Sequence, residues 1–260
     1  MNNNKNTPKA IFFDLDGTLL EHGRLTKSGE QAVHYAKAKG ALVFVATGRN
    51  KWEVDCMKWI PDLPFDGFVT MNGTYSYVGD KVLFKKTIHN DAVAIAAKHI
   101  ADTCQYSLFC EADTTYASYM NEGKMEELLG YNVPIPAVRD PIASIGTDIY
   151  QIVLFGEQIN MAILDLPHCA VTSWAEGCYD IIAKGVNKWV GIQPVLAHFG
   201  LTAQDTAAVG DGTNDIEMLI GAGHSVAMGN AYDKVKACAG YVTGHVNDGG
   251  ALEAVKYLLG

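Results

Sequence analysis

Four short apolar runs, far apart in the chain, each end in a small polar cluster. The runs and the clusters that follow them are 10–13 with 14–18, 41–46 with 47–49, 67–70 with 71–73, and 206–210 with 211–215. Continuously apolar runs of this length are typical of parallel strands that helices cover on both faces. Ligands bind outside the carboxyl ends of such strands, so we expect the four clusters to meet in one crevice. The sequence therefore predicts an α/β fold, with a Rossmann-like doubly wound parallel sheet.

Two helix signals and two weaker strands accompany these runs. Ser28-Gly29-Glu30-Gln31 has the pattern of a capping box, and Gly40 fits the residue just after the end of that helix. Weaker strand candidates lie at 225–228 and 241–243.

The middle of the chain has a different residue pattern from the segments on either side of it. A hairpin with a two-residue turn is predicted at 75–84, and an irregular, proline-containing loop at 131–141. The remaining strand and helix candidates are 106–110, 115–119, 149–155, 170–174 and 178–183 for strands, and 91–101, 123–129 and 157–164 for helices. We expect an inserted α+β cap domain over the crevice, which divides the chain into a first core part (1–78), the cap (79–184) and a second core part (185–260).

Composition limits the classes of partner. The 260 residues are 48% hydrophobic and 19% charged, as in a globular protein with one or two cores. The net charge of −9 argues against nucleic acid or an anionic membrane as the main partner. The start at 1–9 is polar, unlike a secretory signal, and the six scattered cysteines favour free thiols in a reducing compartment. We therefore expect a cytoplasmic protein. We also expect either a monomer or a weak homodimer.

Asp14 and Asp16 follow the first apolar run and stand two residues apart. Two carboxylates this close repel each other unless a cation lies between them or one of them holds a proton. Oxygen ligands without nearby His or Cys favour Mg²⁺ over zinc. The pair also permits one carboxylate to act as a nucleophile and the other to carry a proton. The competing interpretation is a pair of solvated turn residues.

The polar clusters match, in order, the four motifs of the haloacid dehalogenase-like hydrolases. The matching segments are Asp14-Leu15-Asp16-Gly17-Thr18, Thr47-Gly48-Arg49, Lys188 and Gly210-Asp211-Gly212-Thr213-Asn214-Asp215. The spacing resembles the Cof-type sugar phosphatases, which carry a large C2B-type α/β cap between the second and third motifs. The resemblance covers nearly the whole chain from Lys9 onward. It implies a Mg²⁺-dependent phosphatase of small phosphorylated metabolites, with sugar phosphates as the favoured substrates.

The resemblance also assigns the chemistry at the first motif. It implies that Asp14 is the nucleophile, which becomes an aspartyl-phosphate, and that Asp16 is the general acid and base. Mg²⁺ would be held by Asp14, by the backbone carbonyl of Asp16 and by Asp211. Asp215 and Thr18 would lie behind these ligands, with Asp215 reaching the metal through water or holding the motif-three lysine. Thr18 would position Asp16 by a hydrogen bond. Asp211 and Asp215 could also serve as the cap and first turn of a helix.

The phosphoryl group would be bound by the remaining motif residues. The resemblance gives Thr47 and Lys188 both catalytic and phosphate-binding roles, and it gives Leu15, Gly48 and Asn214 phosphate-binding roles. Thr47 could instead be only a helix cap, and Lys184 competes with Lys188 for the motif-three position. Arg49 is interpreted as an ordinary charge at a helix start and is not assigned a catalytic role. Tyr116, Tyr119, Glu111 and Arg139 are conceivable cap contacts, but we assign none of them.

One departure from the family pattern and three alternative functions stay open. Trp189 follows Lys188 where the family usually has glycine, so the backbone or the pocket there could differ. A hexose phosphomutase, similar to the phosphomannomutases, would share the nucleophile and a similar cap. A phospho-accepting signalling module also combines acidic residues, a threonine and a lysine around Mg²⁺. A non-catalytic sugar-phosphate sensor is the fourth possibility.

Overall fold

The computed structural model describes residues 7–130, 133–156, 161–175 and 177–260. Strands in these residues, numbered in chain order, are β1 (Ala10–Phe13), β2 (Leu20–Glu21), β3 (Arg24–Leu25), β4 (Leu42–Ala46), β5 (Gly67–Thr70), β6 (Tyr75–Val78), β7 (Lys81–Lys85), β8 (Ser107–Cys110), β9 (Thr115–Ala117), β10 (Ala137–Val138), β11 (Gln151–Phe155), β12 (Cys169–Ala175), β13 (Cys178–Ala183), β14 (Thr206–Gly210), β15 (His224–Ala227) and β16 (Tyr241–Val242). The helices are α1 (Lys27–Ala38), α2 (Lys51–Cys56), α3 (Asn90–Thr103), α4 (Glu122–Gly130), α5 (Met161–Leu164), α6 (Lys188–Phe199), α7 (Ile216–Gly221), α8 (Asp233–Lys236) and α9 (Gly250–Leu259).

The larger sheet has the strand order β16-β15-β14-β1-β4-β5-β6-β7. Neighbouring strands from β16 to β5 are parallel, and the β6–β7 hairpin adds two antiparallel strands at one edge. The apolar runs 10–13, 41–46, 67–70 and 206–210 form four adjacent strands in its centre, β14, β1, β4 and β5. Their carboxyl ends therefore meet at one edge, and the predicted doubly wound α/β core is confirmed.

Alternating side chains of β1 show why this run is apolar throughout. Ile11 and Phe13 pack into one core with α1 and α9, whereas Ala10 and Phe12 pack into a second core with α6 and α7. Because successive side chains of a strand point to opposite faces, a sheet covered on both sides needs apolar residues at every position. This arrangement fixes the end of β1, and with it Asp14, between two buried layers.

The first helix starts earlier than its capping-box pattern suggests. Thr26 is extended (φ −79°, ψ 152°), and its Oγ1 accepts a hydrogen bond from the Gly29 backbone N–H at 2.9 Å. Ser28 lies inside α1, where its Oγ accepts from the Leu252 N–H at 3.0 Å. The Ser28 prediction was wrong because a threonine two residues upstream also caps well and Ser28 has a tertiary partner. Gly40, with φ 84°, follows the helix end as expected.

The second sheet has the order β10-β9-β8-β11-β13-β12. One of its faces packs on α3 and α5 through a buried cluster that includes Phe109, Ile152 and Ile181. Its other face packs against the hairpin of the larger sheet, where Tyr75 meets Tyr150 edge to face with ring centroids 5.3 Å apart. The inserted α+β unit therefore lies directly against the core sheet.

The domain limits 1–78, 79–184 and 185–260 stay a prediction. The hairpin strand β7 pairs with β6 in the larger sheet, although the sequence division assigns it to the cap. The irregular loop predicted at 131–141 is wrong at 137–138, where β10 pairs in parallel with β9. Residues 131–132 lie outside the described residues, as do 157–160 of the helix expected at 157–164. Among the described helices, none has the length and apolar character that a membrane span requires.

Candidate active site

Asp14, Lys188 and Asp215 form a buried ion cluster at the carboxyl end of β1. The Lys188 ammonium donates to Asp14 Oδ1 at 2.6 Å and to Asp215 Oδ1 at 2.5 Å. Lys188 and Asp215 have no exposed surface, and Asp14 is 6% exposed. Lys188 is the first residue of α6, and the Asn187 side chain caps that helix by accepting from the Val190 N–H. The helix start therefore carries the lysine to the mouth of the sheet.

Asp215 also fixes the loop after β14. Its Oδ2 accepts hydrogen bonds from the N–H groups of Asp211 and Gly212, at 2.9 and 2.8 Å. A buried carboxylate with these partners orients the loop so that the Asp211 side chain faces Asp14. Asp215 binds Lys188, which agrees with one of its two predicted roles. It is also the last residue of the short helical turn at Thr213–Asp215.

Two polar side chains orient Asp211. Thr18 Oγ1 donates to Asp211 Oδ1 at 3.3 Å, rather than to Asp16 as predicted, and Asn230 Nδ2 donates to Asp211 Oδ2 at 3.0 Å. Asn230 also donates to the carbonyl of Gly17 at 2.8 Å. Gly17 has φ 76°, and a Cβ there would overlap the Asp211 carboxylate, so only glycine allows the two loops to meet this closely.

The carboxylates of Asp14, Asp211 and Asp215 fit a hard divalent cation. Each offers an oxygen, and these oxygens all lie within 4.8 Å of one another. The donors are carboxylates only, which is the ligand chemistry of Mg²⁺ rather than of zinc. Lys188 supplies a single positive charge against three carboxylates, so the cluster has an excess of negative charge that a cation would offset.

Burial changes the protonation of this cluster. Burial raises the pKa of Asp211 to about 7, the charge of Asp215 adds to this rise, and Lys188 opposes it. Burial likewise raises the pKa of Asp14, against the opposing charge of Lys188. Burial alone would lower the pKa of Lys188, but the carboxylates of Asp14 and Asp215 raise it above its ordinary value. The lysine therefore stays charged, and the carboxylates are the groups that respond to pH.

Asp16 is bound by Arg49, a residue that was predicted to have no catalytic role. Arg49 donates from Nε to Asp16 Oδ2 at 2.6 Å and from Nη2 to Asp16 Oδ1 at 2.7 Å. The Arg49 side chain is only 10% exposed, whereas that of Asp16 is 49% exposed. Thr47, which is buried, accepts from the Arg49 N–H at 3.1 Å. A basic residue two positions after Thr47 was the available sequence signal, but a lone arginine says nothing of its partner.

The predicted phosphate-binding residues lie beside this cluster. Leu15 has a fully buried side chain, so its backbone alone can serve a ligand. A Cβ added to Gly48 would lie 3.2 Å from Asn72 Oδ1 and 3.5 Å from Asn214 Nδ2, which shows how closely these loops approach. Asn214 Nδ2 donates to Asn72 Oδ1 at 2.9 Å. The structure thus brings Thr47, Gly48, Lys188 and Asn214 to one place.

The structure distinguishes Lys188 from Lys184 as the motif-three lysine, and it shows where Trp189 packs. Lys184 is exposed, whereas Lys188 is buried between two carboxylates. Trp189 packs against the second core, where its indole lies over Gly221 at the end of α7. The bulky residue after the lysine therefore fills the space between α6 and α7.

A cavity of about 750 Å³ lies between the cap strand β12 and the core. Its lining includes Asn72, Trp174, Lys188, Thr213, Asn214 and Tyr232. Three of the four cap residues considered from the sequence are engaged elsewhere, since Arg139 donates to Glu111 at 2.7 Å and stacks on Tyr116. The fourth, Tyr119, is exposed and does not line the cavity. The cap side of the cavity is instead β12, which the sequence showed only as a strand.

Comparison with known proteins places this geometry in a family. A family model described as haloacid dehalogenase-like hydrolase matches residues 11–255. The solved HAD subclass IIB sugar phosphatase BT4131 is 32% identical, with a TM-score of 0.88, over 96% of this chain and 98% of that one. The protein of Bacillus subtilis (strain 168) named "Putative phosphatase YkrA" is 29% identical over 96% of this chain and 97% of its own. The 5-amino-6-(5-phospho-D-ribitylamino)uracil phosphatase YwtE of the same strain is 25% identical over 96% and 98%.

These matches agree with the order of the four motifs and with a sheet that carries a second, inserted sheet. They confirm the expected enzyme class, a phosphoric monoester hydrolase. The chain belongs to the haloacid dehalogenase-like hydrolase family.

Proposed function

We propose that the protein is a Mg²⁺-dependent phosphatase of small phosphorylated metabolites, with sugar phosphates as its favoured substrates. The observation that carries this proposal is the position of Asp14, a carboxylate at the end of β1 that Lys188 binds at 2.6 Å. Asp211 and Asp215 contribute carboxylate oxygens within 4.8 Å of this group. A nucleophile, a fixed positive charge and a cation-binding set therefore share one small volume.

We assign the metal to Asp14, Asp211 and the backbone carbonyl of Asp16, with Asp215 and Thr18 behind them. Bound Mg²⁺ would offset the repulsion between the Asp14 carboxylate and the phosphate dianion. Asp215 holds the Asp211 N–H, and Thr18 donates to the Asp211 carboxylate, so both residues orient a ligand.

Asp14 is the proposed nucleophile. Its Oδ1 is bound by Lys188, so we assign the attack on phosphorus to Oδ2. The new bond joins Asp14 to phosphorus while the bond from phosphorus to the ester oxygen breaks. A carboxylate needs no deprotonation for this step, and the covalent intermediate divides one difficult displacement into two.

Asp16 is the proposed general acid and base. It would give a proton to the departing ester oxygen and then take a proton from the water that attacks the aspartyl-phosphate. Inorganic phosphate leaves and the Asp14 carboxylate is restored. Arg49 donates one hydrogen bond to each Asp16 oxygen, and each oxygen keeps a second lone pair that can carry the proton.

The remaining motif residues would hold the phosphoryl group. Lys188 supplies fixed charge, Thr47 a hydroxyl, and Gly48 a backbone N–H that a side chain would otherwise shield. Asn214 supplies an amide, and Leu15 contributes only its backbone because its side chain is buried. These groups are fixed before the substrate arrives, so little reorganisation accompanies the reaction.

The cavity beside Lys188 supports a small polar leaving group. It measures about 750 Å³ and is lined by hydroxyl, amide and aromatic side chains, including Thr213 and Trp174. A relative, YwtE, is named for a phosphoribitylamino-uracil, and BT4131 for sugar phosphates. We extend this class to the present chain, and we keep the cytoplasmic location as a prediction.

Phosphate release with Mg²⁺ present tests the proposal. The panel comprises an aryl phosphate, hexose and pentose phosphates, nucleotides, pyridoxal phosphate and the phosphoribitylamino-uracil. We expect hydrolysis by the wild type and at least a thousandfold loss in Asp14→Asn. The same change at Asp165, which is exposed on the cap, is the matched control. Full activity in Asp14→Asn would disprove the mechanism.

The same assays separate the alternatives that the sequence leaves open. A phosphomutase would interconvert hexose phosphates in the presence of a bisphosphate without net phosphate release. A signalling module would hold its aspartyl-phosphate for many minutes without turnover. A sensor would bind sugar phosphate and release nothing. We expect rapid, net release of phosphate instead.

A further inference from the structure

Two buried side chains of the cap sheet reach into the core loops around the phosphate site. Asp180 on β13 and Gln151 on β11 are 3% and 2% exposed. Asn72 Nδ2, from the loop after β5, donates to Asp180 Oδ2 at 2.8 Å and to Gln151 Oε1 at 3.1 Å. Gln151 Nε2 in turn donates to the Gly48 carbonyl at 3.1 Å. The cap is thus bonded to two loops of the proposed phosphate site.

Asn72 passes these contacts on to Asn214. Its Oδ1 accepts from Asn214 Nδ2 at 2.9 Å, so Asp180, Asn72 and Asn214 form a continuous chain of hydrogen bonds. We call these three residues the cap relay. The first bond, from Asn72 to Asp180, joins the core to the cap. The second joins the loop after β5 to the loop after β14, within the core.

The backbone at Asn72 is held in an unusual conformation. Met71, Asn72 and Gly73 have φ of 50°, 54° and 95°, in the left-handed region that residues other than glycine rarely adopt. A Cβ on Gly73 would overlap the carbonyl of Asn187, the residue before Lys188. The loop therefore packs tightly beside the catalytic lysine, and its amide is placed rather than free to move.

The relay has a fixed hydrogen-bond direction because of its end group. An ionised carboxylate only accepts, and the Trp174 indole N–H, which donates to Asp180 Oδ1 at 3.3 Å, only donates. Asn72 must therefore turn its NH₂ to Asp180 and its carbonyl to Asn214. Asn214 must then turn its own NH₂ inward, which leaves its second N–H for a phosphate oxygen.

Burial affects the charge state of Asp180, the end group of the cap relay. Burial raises the pKa of Asp180 to about 7, while the bonds from Asn72 and Trp174 oppose the rise. Glu53 adds to the rise and Lys188 opposes it at longer range. Above pH 7 the Asp180 carboxyl group is therefore ionised and can only accept, and this is the form on which the direction of the relay depends.

We infer that Asp180 is a positioning residue of the cap, which acts through Asn72 to orient the Asn214 amide for phosphate and so couples phosphate binding to the seating of the cap. This inference rests on the proposed function, because it takes the phosphate site to include Asn214. Gln151 reinforces it by holding the carbonyl of Gly48. Neither Asp180 nor Gln151 contacts the reacting atoms.

Binding of inorganic phosphate tests the inference without turnover. In calorimetric titrations with Mg²⁺ present, we expect Asp180→Asn to weaken phosphate binding about tenfold, the usual range for a lost hydrogen bond to a charged group. Asparagine has the same shape but can also donate, so position 180 no longer fixes the direction of the Asn72 amide and only Gln151 opposes its reversal. The exposed cap residue Asp165 provides the matched control, and Asp165→Asn should bind phosphate as the wild type does.

A double-mutant cycle separates this role from a structural one. If Asp180 acts through Asn214, the effect of Asp180→Asn on phosphate binding should disappear when Asn214→Ala is already present. An effect that persists in that background, or no effect in the single variant, overturns the inference while leaving the phosphatase proposal intact. A wild type that neither binds phosphate nor hydrolyses esters overturns both.

Trp174→Phe provides a second test of the inference in case Asp180→Asn folds poorly. Trp174 is 48% exposed, so the change should leave the fold intact while it removes one of the two donors to Asp180. We expect a smaller weakening of phosphate binding in the same direction, about threefold. Wild-type affinity in a folded Trp174→Phe variant counts against the inference.

Discussion

Arg49 binds the carboxylate of Asp16 through two parallel hydrogen bonds, of 2.6 and 2.7 Å. This fork-to-fork geometry fixes the orientation of the carboxylate as well as its position. The third guanidinium nitrogen, Nη1, is buried and has no hydrogen-bond partner among the described residues. The arginine is therefore placed to hold Asp16 before the reaction, and it retains a donor that is not yet satisfied.

Replacing Arg49 with lysine should slow the chemical step. A lysine offers one point charge in place of the fork, so Asp16 loses its fixed orientation. General acid catalysis contributes roughly 10²–10⁴-fold, so we expect kcat to fall about tenfold or more. The fall should be larger for a sugar phosphate than for an aryl phosphate, whose leaving group needs little protonation.

Steady-state kinetics on both substrates check this prediction, with Arg24→Lys as the control at an exposed arginine of β3. Equal losses on the two substrates would show that Arg49 acts on something other than the acid step.

Lys188→Met should lower the free energy of unfolding as well as the activity. Lys188 lies between Asp14 and Asp215 with no exposed surface, so its loss leaves two buried carboxylates without their cation. Breaking a buried pair in this way costs about 3–5 kcal/mol. Urea unfolding at pH 7 without metal should show a loss of this size.

Lys184→Met is the matched control for Lys188, because Lys184 is an exposed lysine four residues earlier. Its free energy of unfolding should stay within about 0.5 kcal/mol of the wild type. Similar losses in the two variants would contradict the buried ion cluster.

The central strands and their loops were predictable because several levels of the sequence agree there. Apolar runs gave β1, β4, β5 and β14, and the topology of parallel sheets then placed Asp14, Thr47 and Asp211 together. The cap elements other than β10 were also predicted from their patterns, with limits that differ by at most two residues where the structure describes them in full.

Long-range side-chain partners were not predictable from the same patterns. Arg49 lies 33 residues from Asp16, and Asp180 lies 108 from Asn72. A charged residue in a strand or at a helix start has many possible partners, and its spacing in the sequence carries no information on which one folding brings near. The Thr26 cap shows the same limit locally, since two hydroxyl residues compete and tertiary contacts decide.

Gly221→Ala should destabilise the protein through Trp189. A Cβ at position 221 would overlap the Trp189 indole, and overpacking of this kind costs about 1–3 kcal/mol. Trp189→Ala should remove the clash, so the double variant should be less unstable than the sum of the single changes predicts. Urea denaturation of the four proteins measures this coupling.

Gly123→Ala is the control for this cycle. Gly123 lies on the exposed α4, where an added Cβ makes only an ordinary contact, 3.6 Å from Asn121 Oδ1. Alanine should leave stability unchanged or raise it by up to about 1 kcal/mol. Additive effects at 189 and 221 would mean that the two residues are not in contact.

Without metal, the stability of the protein should fall as the pH rises from 5 to 8. The folded-state pKa of Asp211 is about 7, above its ordinary value of 3.8, so the folded protein binds this proton more tightly than the unfolded chain does. The contribution is therefore complete below pH 4 and is lost as the pH passes 7; it is on the order of 2–4 kcal/mol. Mg²⁺ competes with that proton, so its stabilising effect should grow over the same range. Urea midpoints at pH 5, 6, 7 and 8, in chelator or in Mg²⁺, measure both trends. Asp211→Asn should reduce both, and part of the metal-free trend should persist because burial also raises the pKa of Asp180 to about 7. A metal-free protein that gains stability towards pH 8 would refute the crowded carboxylate site.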